Sequence, residues 1–364
     1  MTNGEQAHDA AFMRRALVLA EQGWGRTAPN PMVGAVVVSP RGEVVGEGFH
    51  KRFGGPHGER MAVEAAGSRA AGATVYVTLE PCHHEGKQPP CSATLIQAGV
   101  ARVVIGCADP HPLAKGGADA LRAAGIAVTM GVCEAEAREL NGPFLFDAGG
   151  ADRPFVTLKL ALSREGAIAP AGREPRWMTG APARADVHRL RANADAIGVG
   201  MGTVAADDPL LTIRHAAQPR VPPVRVVFDR EARLSLTSHL ATTAQAQPVL
   251  VLAERPDAGR AQALAAAGVE VVTVRDLADG LRTLRRRGIR HVLVEGGAAL
   301  ASALVRASLV DRVIIFQSAA DLGAGALPAF EPDAGDPIGS PGRWTLVERR
   351  MLGADERLTY APAP

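Results

Sequence analysis

The sequence predicts two layered α/β domains in one chain. Three observations support this fold class: helical and strand periodicities alternate, several strand candidates are continuous apolar runs, and the chain has 364 residues. Alternating periods with short links are typical of layered α/β domains. Apolar runs such as VGAVVV and RVVIG indicate strands buried on both faces. The length exceeds the roughly 100–200 residues of an ordinary domain, so two domains are expected.

Alternating periodicities up to about residue 133 predict the elements of the first domain. Helices are expected at residues 10–22, 59–70, 92–99 and 116–124. Strands are expected at residues 32–38, 74–79, 102–107 and 127–132. Enrichment in glycine and histidine predicts a loop over residues 46–58. Asp9 is a candidate N-cap of the first helix, because a carboxylate there can accept a backbone N–H.

A stretch at residues 141–153 that mixes Gly, Asp and Pro predicts the linker, which places the domains at residues 1–147 and 148–364. The second domain again alternates the two periods. Its strands are expected at residues 155–162, 196–201, 224–229, 249–253, 269–274, 291–295 and 312–317. Its helices are expected at residues 181–192, 258–267, 277–287 and 298–307. The Pro/Gly-rich segment 328–343 predicts an exposed loop before a final pair of strands.

Composition excludes several classes of protein. The 40 basic and 38 acidic residues give a net charge of +2, and aromatic residues make up 4%, which argues against binding of nucleic acid. No stretch approaches the roughly 20 apolar residues of a membrane span. Four cysteines are too few for a disulfide framework, and no secretory signal fits the N-terminal residues. A cytoplasmic protein with reduced thiols is therefore expected.

A set of zinc-type ligands in the first domain is the strongest functional signal. His57 is followed by Cys82 and Cys91, and one His with two Cys thiolates leaves the fourth position of a tetrahedral zinc site open for water. Bound zinc lowers the pKa of such a water toward about 7. Glu59, at a predicted helix start, can pass a proton from water to a departing amine. The order His-x-Glu and then Pro-Cys is typical of zinc-dependent nucleobase deaminases.

The spacing of the cysteines leaves an alternative open. Eight residues separate Cys82 from Cys91, whereas the general deaminase signature has two, so a buried histidine beside two structural thiols stays possible at this point. A strand that ends in Glu80-Pro81-Cys82 and a helix that opens near Cys91 favour the zinc site. Cys107 and Cys133 lie in apolar strand contexts and are predicted to be core residues.

The segment TLEPCHHEGKQPPC at residues 78–91 resembles the deaminase motif of the RibD family, the bifunctional deaminase–reductases of riboflavin biosynthesis. The long spacing between the cysteines is characteristic of that family. The segments NPMVG at residues 30–34 and GFH at residues 48–50 share in the resemblance. The chain departs from the family pattern at Gly58, where Ala is usual, and at Gln88, where Thr is usual.

The resemblance implies a cytidine-deaminase-like three-layer fold for the first domain, with zinc on the three ligands above and Glu59 as the proton shuttle. It also implies recognition of a phosphorylated pyrimidine by Asn30, His50 and Lys87. An amide can both donate and accept at a pyrimidine edge, and Lys and His can contact a ribose phosphate. The implied reaction removes the 2-amino group of 2,5-diamino-6-(5-phosphoribosylamino)pyrimidin-4-one by hydrolysis.

In the second domain, glycines lie at strand ends and one lysine lies inside a strand. The run GVGMGT at residues 198–203 follows one predicted strand, and EGG at residues 295–297 follows another and opens a helix. Such glycines serve either a tight turn or the approach of a phosphate to a helix N-terminus, and both interpretations stay open. A full G-x-G-x-x-G fingerprint is absent, so an ordinary Rossmann domain is not supported. Lys159 lies at a strand centre, where an isolated ammonium is costly, which favours a functional or paired lysine.

Several segments of the second domain resemble the reductase domain of the same family. They are KLALS at 159–163, WMTG at 177–180, RLR at 189–191, TVAADDPLLTIR at 203–214 and VEGG at 294–297. That domain is similar in fold to dihydrofolate reductase and uses NADPH. The chain departs from the family pattern at Arg164-Glu165, where Leu-Asp is common, and at Pro175, where a serine is usual.

The resemblance implies two groups of contacts in the reductase domain. The residues implied to contact NADPH are Ala161, Trp177, Thr203, Asp207 and Gly297 with the helix that follows it. The residues implied to face the substrate are Lys159, Arg191, Leu211, Arg214 and Glu295. Two of these are arginines suited to a phosphate, because a guanidinium can hold two oxygens.

The sequence therefore predicts a two-step enzyme in which zinc-dependent deamination precedes NADPH reduction of the ribosyl group of 5-amino-6-(5-phosphoribosylamino)uracil to ribityl. A homodimer fits the family. Two alternatives remain at this point. One is a zinc deaminase of another nucleobase with a non-reducing second domain. The other is a non-catalytic, zinc-stabilised nucleotide-binding protein, for which Glu59 would be dispensable.

Overall fold

The chain divides into two compact units, Met1–Ala151 and Asp152–Pro364. The computed structural model describes residues 3–84, 89–172, 178–332, 338 and 342–363. Gln88, Lys87, Pro175 and Trp177 lie outside the described residues. No helix within the described part of the chain is long and apolar enough to cross a membrane.

The first unit alternates helices with the strands of one sheet. Its helices are α1 (Asn3–Ala20), α2 (Gly58–Ala66), α3 (Cys91–Gln97), α4 (Gly117–Ala123), α5 (Glu134–Leu140) and α6 (Gly142–Ala148). Its strands are β1 (Gly34–Val38), β2 (Val44–Phe49), β3 (Thr74–Leu79), β4 (Arg102–Cys107) and β5 (Ala127–Met130). The strand order is β2-β1-β3-β4-β5. β1 runs antiparallel to both its neighbours, whereas β3, β4 and β5 are parallel.

Helices cover both faces of this sheet, which confirms the expected three-layer arrangement. On one face, Met13 and Ala16 of α1 pack against side chains of β1, β3 and β4. On the other face, Ala62, Leu95 and Leu121 from α2, α3 and α4 join a larger apolar cluster. β1 is buried at every position and β4 at all but its first. The apolar runs therefore mark strands buried on both faces, as predicted.

Residues 46–49 of strand β2 lie in the range for which the sequence predicts a loop. Its glycines suggested a loop, but the structure needs them for close packing with α2. A Cβ atom at Gly46 would lie 2.2 Å from the carbonyl oxygen of Ala62, and one at Gly48 would lie 2.4 Å from the Ala62 nitrogen. These glycines mark a close approach between backbones rather than a break in the strand.

Asp9 does not cap a helix, because α1 begins at Asn3 and Asp9 lies inside it. The Asp9 carboxylate is 1% exposed. It accepts hydrogen bonds from the hydroxyl of Tyr76 at 2.9 Å and from both terminal nitrogens of Arg102 at 2.9 and 2.6 Å. Buried charges persist in proteins when they are paired in this way, so Asp9 fastens α1 to β3 and β4.

Helix α6 lies inside the stretch predicted as a linker, and α5 precedes it. The Gly142-Pro143 pair that favoured a linker forms the start of α6, where proline is tolerated because the first N–H groups of a helix have no intrahelical partner. The Asn141 amide between α5 and α6 exchanges two hydrogen bonds with the backbone of Met32, at 2.9 and 2.8 Å. Cys107 is a core residue, as predicted. Cys133 precedes α5 with φ of 53° and is only half-buried, so it packs against the edge of a core cluster instead of lying inside the core as predicted.

The second unit is built on a larger mixed sheet. Its helices are α7 (Ala181–Ala192), α8 (Met201–Asp207), α9 (His239–Thr242), α10 (Ala258–Ala266), α11 (Leu277–Arg286) and α12 (Ala298–Arg306). Its strands are β6 (Phe155–Leu162), β7 (Ala167–Ala169), β8 (Ala196–Gly200), β9 (Val224–Phe228), β10 (Val249–Ala253), β11 (Glu270–Thr273), β12 (His291–Val294), β13 (Arg312–Gln317), β14 (Leu327–Pro328), β15 (Trp344–Leu352) and β16 (Asp355–Pro362). Helix α7 and strands β6, β10 and β13 coincide with the predicted ranges.

The strand order β11-β10-β9-β8-β12-β6-β13-β16-β15 places the later strand β12 between β8 and β6. The strands from β11 to β13 in this order are parallel, and β16 and β15 continue the sheet antiparallel as the predicted final pair. β7 and β14 pair separately. In open α/β sheets, ligands bind beyond the carboxyl ends of the strands where the chain reverses its direction of travel across the sheet. Here that place is the end of β8, β12 and β6.

Candidate metal centre and cofactor cleft

The candidate zinc ligands come from three elements of the first unit that meet at one edge of the sheet. His57 is the N-cap residue of α2, and Cys91 is the first residue of α3. Cys82 lies shortly after the end of β3. Because β1 is antiparallel to β2 and β3, the start of β1 and the ends of β2 and β3 share this edge.

The three ligand atoms are close enough to hold one ion. His57 Nδ1 lies 3.3 Å from Cys91 Sγ and 3.7 Å from Cys82 Sγ, and all three atoms lie within 4.8 Å of one another. Ligand atoms of a tetrahedral zinc site with nitrogen and sulfur donors lie about 3.5–3.8 Å apart. Among the described residues, this is the group of His, Cys and carboxylate side chains that can hold a metal. The donor set and its spacing therefore fit zinc.

Hydrogen bonds to the Cys82 sulfur favour its thiolate form. The bond with Cys91 and then the bond with His57 lower the pKa of the Cys82 thiol, against the effect of burial. The backbone N–H of Cys91 also donates to the Cys82 sulfur at 3.4 Å. Since the thiolate is the form that binds metal, these contacts favour the ligand state of Cys82.

Glu59 is a buried carboxylate with an unused oxygen. It lies in the first turn of α2 and is 2% exposed. Its Oε2 atom has no hydrogen-bond partner among the described residues. Burial raises the pKa of Glu59 to about 7. A buried carboxylate oxygen without a hydrogen-bond partner is unfavourable for the fold alone, so the position of Glu59 beside the three ligands points to a function there.

A second set of contacts, which sequence reasoning missed, holds the ligand loop. Glu80 accepts backbone N–H bonds from Asp109, Gly116 and Ala118 at 3.3, 3.2 and 3.0 Å. The Ser92 hydroxyl donates to the carbonyl oxygen of Cys82 at 3.2 Å. Glu80 stands in the quoted motif, but nothing in the sequence shows that its partners come from the segment after β4 and from the first turn of α4.

Two of the three residues implied to bind the pyrimidine substrate lie at the same sheet edge. Asn30 precedes β1 and is half-buried. His50 follows β2, is 1% exposed, and its ring centre lies 5.2 Å from that of His57. Its Nδ1 lies 2.9 Å from the carbonyl oxygen of Pro56, and its Nε2 has no partner among the described residues. Burial lowers the pKa of His50, so neutral imidazole with Nε2 free to accept a hydrogen bond is favoured. Lys87 lies outside the described residues.

We expect Cys91→Ser to lower zinc occupancy sharply, because a serine hydroxyl at neutral pH is a poor zinc ligand compared with a thiolate. Elemental analysis of purified protein measures the zinc-to-protein ratio. Cys107→Ser is the matched control, since this thiol lies in the same unit outside the cluster. Full zinc occupancy in the Cys91 variant would remove Cys91 from the ligand set.

The second unit holds a cavity of about 1740 Å³ at the strand ends where the order reverses. Its lining includes the residues Lys159, Ala161, Arg191, Thr203, Asp207, Leu211, Arg214, Glu295 and Gly297. These are all the residues that the resemblance implies for cofactor and substrate, apart from Trp177, which lies outside the described residues. The structure thus brings together positions spread from β6 to α12.

Two glycines that line this cavity are N-cap residues of helices. Gly200 precedes α8, and Gly297 precedes α12. A Cβ atom at Gly297 would lie 3.4 Å from the Thr203 hydroxyl, which is an ordinary contact distance. The free N–H groups and the dipole at the start of a nine-residue helix such as α12 favour an anion, for which a dinucleotide's phosphates are suited.

Buried charges line the side of the cavity beside β6. Glu295 accepts hydrogen bonds from Arg191 Nε and Nη2 at 2.6 and 3.0 Å, and Lys159 Nζ lies 3.9 Å from Glu295 Oε2. Burial alone would raise the pKa of Glu295, but Arg191 and then Lys159 hold it at about 2. Burial lowers the pKa of Lys159, and Glu295 opposes that change. The sequence predicts that Lys159 is either functional or paired, and the structure shows that it is paired with Glu295.

The two arginines expected to hold a phosphate differ in their contacts. The Arg191 guanidinium is occupied by Glu295 and also donates to the carbonyl oxygen of Thr212 at 2.8 Å. Arg214 is exposed in the cavity, and no side-chain partner for it is found among the described residues. Arg214 is thus the better placed of the two to receive an anion.

The departures at Arg164 and Glu165 have structural partners. Arg164 donates to the Asp321 carboxylate at 2.7 Å, and the Glu165 carboxylate accepts the backbone N–H of Leu322 at 2.6 Å. Gly166 completes this turn with φ of 82°. The substituted residues therefore tie the turn between β6 and β7 to the segment after β13.

Two family models match the chain in succession. Residues 6–107 match the cytidine and deoxycytidylate deaminase zinc-binding region, and residues 154–355 match the RibD C-terminal domain. A riboflavin biosynthesis protein RibD from Aquifex aeolicus is 41% identical over 320 residues, which cover 87% of this chain and 88% of the relative. The protein of the same name from Escherichia coli is 39% identical over 376 residues, covering 95% and 97%.

Solved structures resemble the whole chain. The diaminohydroxyphosphoribosylaminopyrimidine deaminase/5-amino-6-(5-phosphoribosylamino)uracil reductase from Thermotoga maritima superposes with a TM-score of 0.78 at 36% identity. A RibD structure from Acinetobacter baumannii superposes with a TM-score of 0.76 at 38% identity. Each similarity covers 99% of this chain and 100% of the solved chain.

Proposed function

The chain belongs to the RibD family and is thus a bifunctional deaminase and reductase of riboflavin biosynthesis that uses zinc and NADPH. From this premise, we propose which of its residues carry out each of the two reactions. The deaminase site consists of His57, Cys82 and Cys91 as metal ligands and Glu59 as the catalytic group. The reductase site is the cavity of the second unit, within a domain that begins near residue 148. The observation that carries the proposal is the cluster of three ligand atoms beside a buried carboxylate, one oxygen of which has no hydrogen-bond partner among the described residues.

In the deaminase step, the substrate is 2,5-diamino-6-(5-phosphoribosylamino)pyrimidin-4-one. Zinc held by the three ligands would act as a Lewis acid and would lower the pKa of the attacking water toward about 7. Glu59 takes a proton from the attacking water through its free oxygen and delivers a proton to the departing amino group, which leaves as ammonia. Burial of Glu59 excludes bulk water from this transfer.

Substrate recognition in the deaminase site falls to Asn30, His50 and Lys87 in this proposal. The Asn30 amide pairs with the pyrimidine edge. His50 presents its Nε2 acceptor, since its Nδ1 is engaged with Pro56. The Lys87 ammonium neutralises the ribose phosphate. Neutral imidazole next to the metal ligands suits hydrogen bonding to an uncharged base.

In the reductase step, NADPH would supply a hydride to the opened ribose of 5-amino-6-(5-phosphoribosylamino)uracil, and a proton from solvent would complete the reduction. Ala161, Trp177, Thr203, Asp207 and Gly297 are the residues that hold the cofactor. The residues on the substrate side are Lys159, Arg191, Leu211, Arg214 and Glu295. Among these, the paired Lys159 and Glu295 place opposite charges beside the reacting sugar. Arg214, which has no side-chain partner within the described part of the chain, offers its guanidinium to the phosphate.

A cytoplasmic homodimer completes the proposal, since a homodimer fits the family and the near-neutral charge fits an enzyme of small phosphorylated metabolites. Neither feature changes the assignment of the two sites within one chain.

A coupled assay on the full-length protein tests whether it catalyses both reactions, with deamination before reduction. With the diaminopyrimidine substrate and no NADPH, we expect ammonia release without further conversion. Addition of NADPH is expected to cause loss of reduced-nicotinamide absorbance only after ammonia has appeared. NADPH oxidation without ammonia release would contradict the order of the steps, and no change in either signal would favour a non-catalytic nucleotide-binding protein.

A further inference from the structure

His188 is a buried histidine at the reductase cavity that the proposed mechanism does not use. It lies on α7 one turn before Arg191, is 8% exposed, and lines the cavity. Its Nδ1 accepts the backbone N–H of Arg214 at 3.1 Å. Residues three apart on a helix share a face, so His188 and Arg191 project from α7 toward the same segment.

The segment held by α7 carries Arg214. Arg191 fastens it at the carbonyl oxygen of Thr212, and His188 fastens it at the nitrogen of Arg214. On either side, Leu211 and His215 have left-handed backbones with φ of 51° and 57°. Such conformations are unfavourable for residues other than glycine and persist when surrounding contacts impose them.

We propose that His188 is a positioning residue of the reductase site, which holds the Arg214 backbone so that the Arg214 guanidinium meets the phosphate of the substrate. This inference rests on the proposed reductase function. The atoms define the role: Nδ1 acts as an acceptor, so the proton of the neutral ring lies on Nε2. Only the neutral ring can accept this bond.

The electrostatic surroundings agree with a neutral ring. Burial, followed by the charges of Arg191 and Arg214, lowers the pKa of His188 to about 4. Glu295 opposes this shift, and the ring of His215 lies 6.2 Å away. Arg214 itself keeps its guanidinium exposed in the cavity with no side-chain partner among the described residues.

Two substitutions at position 188 separate hydrogen bonding from packing. Asn places an acceptor near the position of Nδ1, whereas Leu removes it. For the full-length enzyme we expect His188→Leu to raise the KM for the deaminated, phosphorylated substrate roughly tenfold, equal to the loss of one hydrogen bond of about 1.4 kcal/mol. His188→Asn is expected to restore the KM to within about threefold of wild type. The KM for NADPH and ammonia release by the first unit are expected to stay unchanged.

A double-mutant comparison shows whether His188 acts through Arg214. If it does, His188→Leu raises the KM of Arg214→Ala little further, because both changes act on the same contact between the Arg214 guanidinium and the substrate phosphate. The KM for the same substrate without its phosphate is expected to be insensitive to His188→Leu. Additive effects, failure of Asn to restore the KM, or an equal effect on the dephosphorylated substrate would overturn the role of His188.

The same measurements distinguish this inference from the function on which it rests. Wild-type NADPH oxidation together with an unimpaired His188→Leu variant would overturn only the role of His188. Absence of NADPH oxidation by wild-type enzyme supplied with deaminated substrate would overturn the reductase function and the inference together.

Discussion

Glu59→Gln is expected to lower the rate of ammonia release by about 10²–10⁴-fold, the range that positioned acid–base groups contribute. Glutamine keeps the shape of the side chain but can neither take up nor deliver the proton. We expect zinc content to stay at the wild-type level, since Glu59 is not among the ligands. NADPH oxidation with supplied deaminated substrate is also expected to stay unchanged, because it takes place in the second unit. Ammonia and absorbance assays on the same preparation measure both rates.

The stability of this variant provides a second readout. Because the Glu59 carboxylate is buried and its Oε2 has no partner among the described residues, neutralising it removes a desolvation cost. We therefore expect the melting temperature of Glu59→Gln to be equal to or above that of wild type. Replacing an active-site group commonly trades activity for stability in this way.

Glu64→Gln is the matched control for Glu59. It lies on the same helix, its side chain is 53% exposed, and it pairs with Arg60 at 2.8 Å. Its removal is expected to leave ammonia release unchanged. Wild-type ammonia release in Glu59→Gln would refute the proton relay, and loss of zinc would show that Glu59 maintains the ligand set instead.

Glu295→Gln is expected to abolish most reductase activity and to destabilise the second unit. The substitution leaves the Arg191 and Lys159 charges without their buried counter-ion, a change that typically costs about 3–5 kcal/mol. Both cations line the cavity, so their displacement is expected to lower kcat/KM for the reduction by at least about 100-fold. NADPH oxidation and urea unfolding measure the two effects, and ammonia release serves as the internal control.

The destabilisation is expected to depend on pH with a definite sign. The folded-state pKa of Glu295, about 2, lies below that of an unfolded glutamate, so its charged form stabilises the fold above the unfolded pKa. The difference in unfolding free energy between wild type and Glu295→Gln should be constant from pH 7 to about pH 5. It should then shrink as the pH falls from about 5 toward 2, since protonation removes the advantage of the carboxylate.

Glu270→Gln is the control for this effect. Its side chain is 57% exposed and pairs with Arg287 at 2.6 Å, and exposed pairs contribute little to stability. A pH-independent difference for Glu295→Gln, or one as small as that of the control, would contradict a buried ion pair as the source of the stability.

Much of the fold could be predicted because its signals are local. Helix α7 and strands β6, β10 and β13 coincide with their predicted ranges, since apolar periodicity shows directly in sequence. Strand β2 could not be predicted in this way. Its glycines resemble a loop until the backbone of α2 lies against them, which is a contact distant in sequence. Asp9 likewise suggested a cap, and only its distant partners Tyr76 and Arg102 show its structural role.

The sequence by itself predicted the ligand set of the metal site, because His57, Cys82 and Cys91 are zinc-type donors that follow the order His-x-Glu and then Pro-Cys. By resemblance, it also predicted the list of reductase residues. Only the tertiary structure decided which contacts these residues make. Arg191 is held by Glu295, Arg214 has no side-chain partner among the described residues, and His188 accepts the backbone N–H of Arg214. Such pairings depend on distances between residues far apart in sequence, and a pattern of residue types does not contain those distances.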